Sequence, residues 1–378
     1  MNILHLYKDY PPVLGGIENH IKGLAEAQAQ RGHQVTVLVT GLDHHTRGSV
    51  ENGVRVIRAA RLAQVASTPL SLSLPRLLRR QRPDITHLHF PYPLGEVSQW
   101  LLGRARRTVL SYHSDVVRQA FILRLYAPLL RCVLRRVDRI IAATPQYRDS
   151  SRFLQPYRDK CVLIPYGIDL HRFQEADAAL VAAIRQRHGS AASGEPGPLL
   201  LFVGRLRYYK GLSYLIQAMA HVPATLLVVG SGPMEREWRQ LAAATGVADR
   251  VHFLGDVEDA ALPAYYHAAD LFVLPASQRS EAFGIVLVEA MASGTPLIST
   301  ELGTGTSYVN RHGETGLVVP PRDPQALAAA INELLADDER RQAMGHAARA
   351  RAEAEFSLPA MVERVLEVYE GVLQTRDQ

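Results

Sequence analysis

The chain has 378 residues, 47% hydrophobic and 21% charged, globular values that exclude disorder as the default and exceed one ordinary core, so two domains are expected. The net charge of +5 hides two opposed halves: residues 1–170 carry 24 Lys+Arg against 12 Asp+Glu, and residues 171–378 carry 18 against 25. Cys132 and Cys161 are too few for a disulfide framework or a cysteine metal site, and no apolar run reaches the ~18 residues of a membrane span. The start runs straight into a strand-like segment without a basic leader, so a cytoplasmic location is expected.

In chain order, a strand candidate at Ile3–Leu6 is followed by Pro11-Pro12-Val13-Leu14-Gly15-Gly16-Ile17-Glu18 and a helical pattern over Ile17–Arg31. Further strand candidates are Val35–Val39, Val54–Ile57, Ile85–His89, Thr108–Tyr112, Arg139–Ala143 and Val162–Ile164, with a second helical pattern at Val116–Arg136. The weak join is Gln174–Pro198, and within it Gly189-Ser-Ala-Ala-Ser-Gly-Glu-Pro-Gly-Pro198 reads as a flexible loop. Beyond it, strand candidates Leu199–Val203, Thr225–Val229, Val251–Phe253, Leu271–Leu274, Leu297–Ser299 and Gly316–Val319 alternate with helices at Leu212–Ala220, Met234–Thr245, Ala260–Ala268 and Ile285–Ala292. A helical tail from Asp323 breaks near Ser357-Leu358-Pro359. Two such alternating series predict an α/β protein of two Rossmann-like, doubly wound parallel-sheet domains facing a central cleft, at 1–172 and 173–357. Ligands of open α/β sheets bind at the carboxyl ends of strands, where helix N-termini present free N–H groups.

Several segments at such ends could carry chemistry. Glu281-Ala282-Phe283-Gly284-Ile285-Val286-Leu287-Val288-Glu289 places one carboxylate before a helix and a second about one turn inside it. A carboxylate accepts two hydroxyl hydrogen bonds, which suits a sugar diol, and the N–H groups of Phe283, Gly284, Ile285 and Val286 suit an anion. Gly204-Arg205-Leu206-Arg207-Tyr208-Tyr209-Lys210-Gly211 puts two cations in a strand-to-helix loop, where Arg205 and Lys210 would stabilise charge on departing phosphate oxygens. Gly15 and Gly16 open the first helix, and Gly230-Ser231-Gly232-Pro233 follows another strand; each is also compatible with a plain tight turn. In Ser111-Tyr112-His113-Ser114-Asp115, His113 stands at a strand end facing the expected cleft. His5, His87 and His89 also lie near strand ends and receive no role.

Together, and in this order along nearly the whole chain, these segments resemble the retaining glycosyltransferases of family 4, which have the glycosyltransferase B (GT-B) fold. The resemblance implies that Arg205 and Lys210 hold the donor diphosphate and that Glu281 contacts the transferred sugar. Glu289 would bind the ribose diol, with Gly204, Gly230, Phe283, Gly284, Ile285 and Val286 around the donor. Gly15 and Gly16 would approach the diphosphate from the first domain, and His113 the sugar near its reacting carbon. It also implies that the segment after Pro359 packs back on the first domain, that configuration is retained by front-face attack, and that neither a metal nor a cofactor is needed beyond the nucleotide sugar. Many relatives have His-Asp together; here Ser114 separates His113 from Asp115, so Asp115 is expected to point away from the site.

The segments 112–119 and 207–210 look similar to bacterial enzymes of surface-polysaccharide synthesis, which favours GDP-mannose over a UDP-sugar as donor, and a glycan or lipid-linked acceptor. Val116–Arg139 is both basic and apolar (Val116, Val117, Phe121, Ile122, Leu125, Leu129, Leu130, Val133, Leu134, Val137). It could lie on the inner face of an anionic membrane, or be an ordinary amphipathic helix. No nucleic-acid partner is expected, since no such motif accompanies the basic charge. The competing readings are a sugar-nucleotide epimerase or hydrolase of the same fold, and a non-catalytic sugar-nucleotide or nucleic-acid binder.

Overall fold

The computed structural model describes residues 1–375 apart from 14, 66–67, 116–119 and 190–196, and of 120–125 the backbone only. Leu14, the segment 116–119 and most of the glycine-rich join therefore lie outside the described residues. The chain divides into a first unit of Met1–Gly167 with Leu358–Gln378, and a second of Ile168–Ser357. The cut falls after Gly167 rather than Arg172. The part of the join before Gly189 is mostly a helix, Ala178–His188, whose N-terminus is closed by the Asp177 carboxylate accepting from Ala179 and Leu180 N–H.

The first unit contains β1 (Asn2–Leu6), β2 (Gln34–Thr40), β3 (Arg47–Glu51), β4 (Val54–Ala59), β5 (Ala63–Val65), β6 (Thr68–Leu70), β7 (Ile85–Phe90), β8 (Arg107–Tyr112), β9 (Arg139–Ala142) and β10 (Cys161–Leu163). Eight form one sheet in the order β10-β9-β8-β7-β1-β2-β4-β3, and β5–β6 is a separate pair. The sheet is parallel except for β3, which runs antiparallel to β4 at the edge. That strand escapes sequence reading because Arg-Gly-Ser-Val-Glu has no apolar run; an edge strand exposed along its length needs none. Strand order along the sheet reverses at the β1/β7 boundary, the switch point at which α/β sheets open a crevice. The last helix, Leu358–Gln374, belongs to this unit and buries Met361, Val362, Val365, Leu366, Tyr369 and Val372.

The second unit is a six-stranded parallel sheet built from β11 (Leu199–Val203), β12 (Thr225–Val229), β13 (Val251–Gly255), β14 (Leu271–Leu274), β15 (Leu297–Thr300) and β16 (Gly316–Val319). Its order, β13-β12-β11-β14-β15-β16, is the Rossmann order, with the switch point between β11 and β14. β11, β12 and β14 are buried along their whole length. Strands covered on both faces read as continuous apolar runs, which is why these were legible.

Candidate active site

The two loops leaving the second switch point carry the residues singled out by sequence. β11 ends at Gly204, and the chain passes through exposed Arg205 and buried Leu206 into a short turn, Tyr208–Lys210. Gly211 follows at φ 69°, and a Cβ there would lie 2.0 Å from the Pro275 carbonyl oxygen. Only glycine fits so close a left-handed turn. Gly211→Ala is expected to destabilise the second unit by at least ~1–3 kcal/mol, read as a lower midpoint for the Trp238 fluorescence transition.

Lys210 is 8% exposed. Its Nζ lies 2.7 Å from Glu281 Oε2, with each side chain 11% exposed. Burial opposes its charge, but the carboxylate of Glu281, helped by Tyr209 and Glu289, outweighs it and raises the lysine above its ordinary range. Its stem runs over Gly204, where an added Cβ would be 3.4 Å from Lys210 Nζ. Arg205, by contrast, makes no ion pair among the described residues. One cation is thus held rigidly while the other is free to engage a ligand.

Glu281 sits in the loop after β14. Thr304 Oγ1 donates to the Glu281 carbonyl at 2.8 Å and Gly305 N to that of Ala282 at 2.7 Å. Gly284, at φ 83°, turns the chain into the helix Ile285–Ala292, and Phe283 packs inward against Phe356. The N–H groups of Ile285 and Val286 open that helix without a backbone acceptor among the described residues. Glu289, one turn on, is partly exposed. Its Oε2 accepts from Tyr266 Oη at 2.6 Å, and Oε1 has no hydrogen bond among the described residues. Burial raises its pKa, opposed by that hydroxyl. The Gly230-Ser231-Gly232 turn has a structural reason of its own. A Cβ on Gly230 would lie 2.3 Å from Gly204 O, and one on Gly232 2.5 Å from Leu206 O. These glycines let two loops interlock, with Leu206 N bonded to Ser231 O.

In the first unit Gly15 and Gly16 begin the helix Gly16–Gln30, as expected at the end of β1. Gly15 is extended, and the Glu18 carboxylate occupies the space a Cβ would take, 2.2 Å away. Gly16 is exposed at the helix start. His113 directly follows β8, but it is 3% exposed and both ring nitrogens are engaged. Nε2 lies 2.9 Å from His89 Nδ1, and Nδ1 lies 2.5 Å from Tyr166 Oη. Asp115 is turned to Tyr112 Oη at 2.9 Å and Ser151 Oγ at 2.8 Å.

The sequence reading passed over the neighbours of His113. Parallel register sets His5 beside His87 and His89 beside Ser111, so period-two alternation puts all four on one sheet face. The His87-x-His89 pattern was the available signal. The ring nitrogens of His5, His87 and His89, and of His20, His89 and His113, cluster closely enough to be considered for a metal. No helix among the described residues is long and apolar enough to cross a membrane. Of the basic helix Ala120–Arg136 and its end, Leu130, Val133, Leu134 and Val137 are buried in the first unit, while Arg131, Arg135 and Arg136 are exposed. These apolar residues belong to the core and are not available to a membrane; Val116, Val117, Phe121, Ile122 and Leu125 fall outside the described side chains.

Residues 14–172 match the model of Glycosyltransferase Family 4, and residues 184–351 that of Glycosyl transferases group 1. The chain is 40% identical over 355 residues to the D-rhamnosyltransferase WbpZ of Pseudomonas aeruginosa, covering 93% of this chain and 91% of that one. It is 37% identical to the O-antigen chain mannosyltransferase C of Escherichia coli, covering 100% of both. Among solved structures, sucrose-phosphate synthase from Thermosynechococcus elongatus superposes with a TM-score of 0.81 at 26% identity, covering 98% of each chain.

Proposed function

The chain belongs to family 4 of the glycosyltransferases, with the GT-B fold and of the bacterial surface-polysaccharide type, and from that premise we propose that it is a retaining hexosyltransferase using GDP-mannose or its 6-deoxy counterpart. The acceptor is a glycan, free or lipid-linked. The observation that carries this reading is the buried Lys210–Glu281 pair beside unpaired Arg205 at the β11/β14 switch point, where such sheets bind nucleotides. Arg205 and Lys210 take the diphosphate. The N–H groups of Gly284, Ile285 and Val286, with Phe283 fixing their turn, add dipoles to it or to the sugar. Glu281 meets the transferred hexose, and Glu289 Oε1 accepts from the ribose diol. Gly15, Gly16 and His113 are proposed to take part in the transfer as well.

The bond from the anomeric carbon to the phosphate oxygen breaks, and negative charge collects on the leaving diphosphate. The acceptor oxygen bonds to the same face of the sugar, and its proton passes to the departing phosphate oxygen. The protein's part is positioning and charge stabilisation, without metal or covalent nucleophile. A glycosyl adduct trapped on Glu281 would contradict this.

A thermal-shift panel of nucleotide sugars tests the reading. One base and one sugar should stabilise the protein, as should the matching free diphosphate. Arg205→Ala should abolish that gain without lowering the unliganded midpoint, because Arg205 has no described ion-pair partner to lose. Rapid donor consumption without acceptor would favour an epimerase or hydrolase instead. Salt-sensitive nucleic-acid binding with no donor consumption would favour a binding protein.

Peripheral membrane association is proposed through another basic face. Arg76, Arg79, Arg80 and Arg82 are exposed on and after the helix Ser73–Arg80, and Leu72 before it is 70% exposed. Flotation with anionic liposomes should show binding that weakens as salt rises; no binding at low salt would end this proposal.

A further inference from the structure

His113 is one link of a buried chain of side chains. From Tyr166 Oη the contacts run to His113 Nδ1 at 2.5 Å, His113 Nε2 to His89 Nδ1 at 2.9 Å, and His89 Nε2 to His5 Nδ1 at 3.0 Å. They continue from His5 Nε2 to Gln28 Oε1 at 2.8 Å and Gln28 Nε2 to Tyr369 Oη at 3.5 Å. They end from Tyr369 Oη to His87 Nδ1 at 2.6 Å and His87 Nε2 to Ser111 Oγ at 2.7 Å. His5, Gln28, His87, His89, His113 and Tyr369 are each at most 3% exposed.

The protons in such a chain are not independent. A neutral imidazole has one donor and one acceptor, so fixing one ring fixes the next. Gln28 Oε1 can only accept, so His5 carries its proton on Nε2 and accepts at Nδ1. His89 must then donate from Nε2, and His113 must donate from Nε2 to His89 Nδ1. That leaves His113 Nδ1 to accept from Tyr166 Oη. On the far side, Gln28 Nε2 donates to Tyr369, which donates to His87 Nδ1, and His87 Nε2–H goes to Ser111. Every step agrees with its neighbours, and turning the Gln28 amide over would reverse all of them together. A cationic ring at His5 or His89 would set two N–H groups head to head. Burial accordingly holds His5 down at about 4 and His87, His89 and His113 well below their ordinary value.

We infer that this chain is a positioning relay: it fixes His113 as a neutral ring protonated on Nε2, and Gln28, held by Tyr369 of the last helix, sets its polarity. The inference rests on the reading that His113 takes part in sugar transfer. A ring kept neutral there puts no positive charge beside the cationic character that develops at a sugar's anomeric carbon. A metal is the competing use of these nitrogens. Tetrahedral zinc with Zn–N of 2.0–2.1 Å needs nitrogens ~3.3 Å apart around a shared centre. Here they face each other in pairs at hydrogen-bond distance.

The test is ring 15N NMR of the histidine-labelled full chain, read with turnover. Wild type should show His113 and His87 each as a single species protonated on Nε2. Gln28→Leu removes the acceptor that sets polarity, so His113 should become a mixture of tautomers. Its kcat should fall of order 10- to 100-fold, as for a slightly misplaced group, with donor KM unchanged and the acid limb of the kcat profile moved up. Gln28→Glu can only accept, so His113 should keep its proton on Nε2 while His87 moves its own to Nδ1. If Gln28→Leu does not fold, Tyr369→Phe frees the amide and should give the same mixture at His113. A His113 ring unchanged in Gln28→Leu and Tyr369→Phe, protonated on Nδ1 in wild type, or losing its N–H signal to added Zn2+ would overturn the inference, as would unchanged kcat in Gln28→Leu. Failure of the functional reading is separate: wild type would release no nucleoside diphosphate from any donor, while the ring spectra would still report the relay.

Discussion

Lys210→Met should lower turnover by ~10²- to 10³-fold, the cost of removing one group aimed at developing charge. It should also destabilise the second unit by ~3–5 kcal/mol, because Glu281 would remain buried without its partner. The pair is 2.7 Å apart and 11% exposed on each side, so solvent does little to replace the lost contact. The two effects separate in the double variant Lys210→Met/Glu281→Leu. Apolar groups of similar volume often replace a buried ion pair at little cost, so the Trp238 unfolding midpoint should return toward wild type while turnover stays lost. Recovery of activity together with stability would mean that the pair is only a strut.

Acidification should unfold the first unit well before the second. Five histidines in the first unit are held neutral by burial: His5 at about 4, His20 at about 3, and His87, His89 and His113 well below 6.5. With folded pKa values below the unfolded value, the unfolded chain binds more protons between pH 6.5 and about 4. Stability is therefore full above pH 6.5 and falls as the pH drops through that window. Between pH 7.5 and 5.5 all five draw stability away in the same direction. Glu96 opposes this: burial lifts it to about 7, so its stabilising contribution grows as the pH falls, by about 2 kcal/mol over the same range. Five groups against one leave a net loss, and a domain of marginal stability has little to spare against it. Trp100 lies in the first unit and Trp238 in the second, so single-tryptophan variants report each alone. The Trp100 signal should unfold between pH 5 and 6, with Trp238 still native. Coincident transitions, or none above pH 4, would contradict the account.

The sequence was most readable where burial is most uniform. β11, β12, β14 and β16 fall at their expected residues because strands covered on both faces leave nothing but apolar side chains. The edge strand β3 has no apolar run, and the helices Ser73–Arg80 and Pro93–Leu102 are short; none of them was anticipated. The loops of the donor site were legible as motifs, but not their division of labour. Nothing in Arg205 and Lys210 as residue types says that one is free and the other locked to Glu281. Glycine was ambiguous in the same way: Gly211 and Gly230 are explained by carbonyl oxygens from distant loops. The histidine chain was unreadable for a related reason, since Gln28 and Tyr369 join it from helices at opposite ends of the sequence.

The central claim is that two sets of residues hold two parts of one ligand, and affinity measurements test it most directly. Dissociation constants should be compared for the best-stabilising nucleoside diphosphate, its monophosphate and its 2′,3′-dideoxy form, against wild type, Arg205→Ala and Glu289→Gln. Wild type should prefer the intact diphosphate over both analogues. Arg205→Ala should erase only the preference for diphosphate over monophosphate, and Glu289→Gln only that for the ribose hydroxyls. If either substitution erases both preferences equally, or neither, the donor does not lie where the Glu281–Glu289 segment and its cations place it.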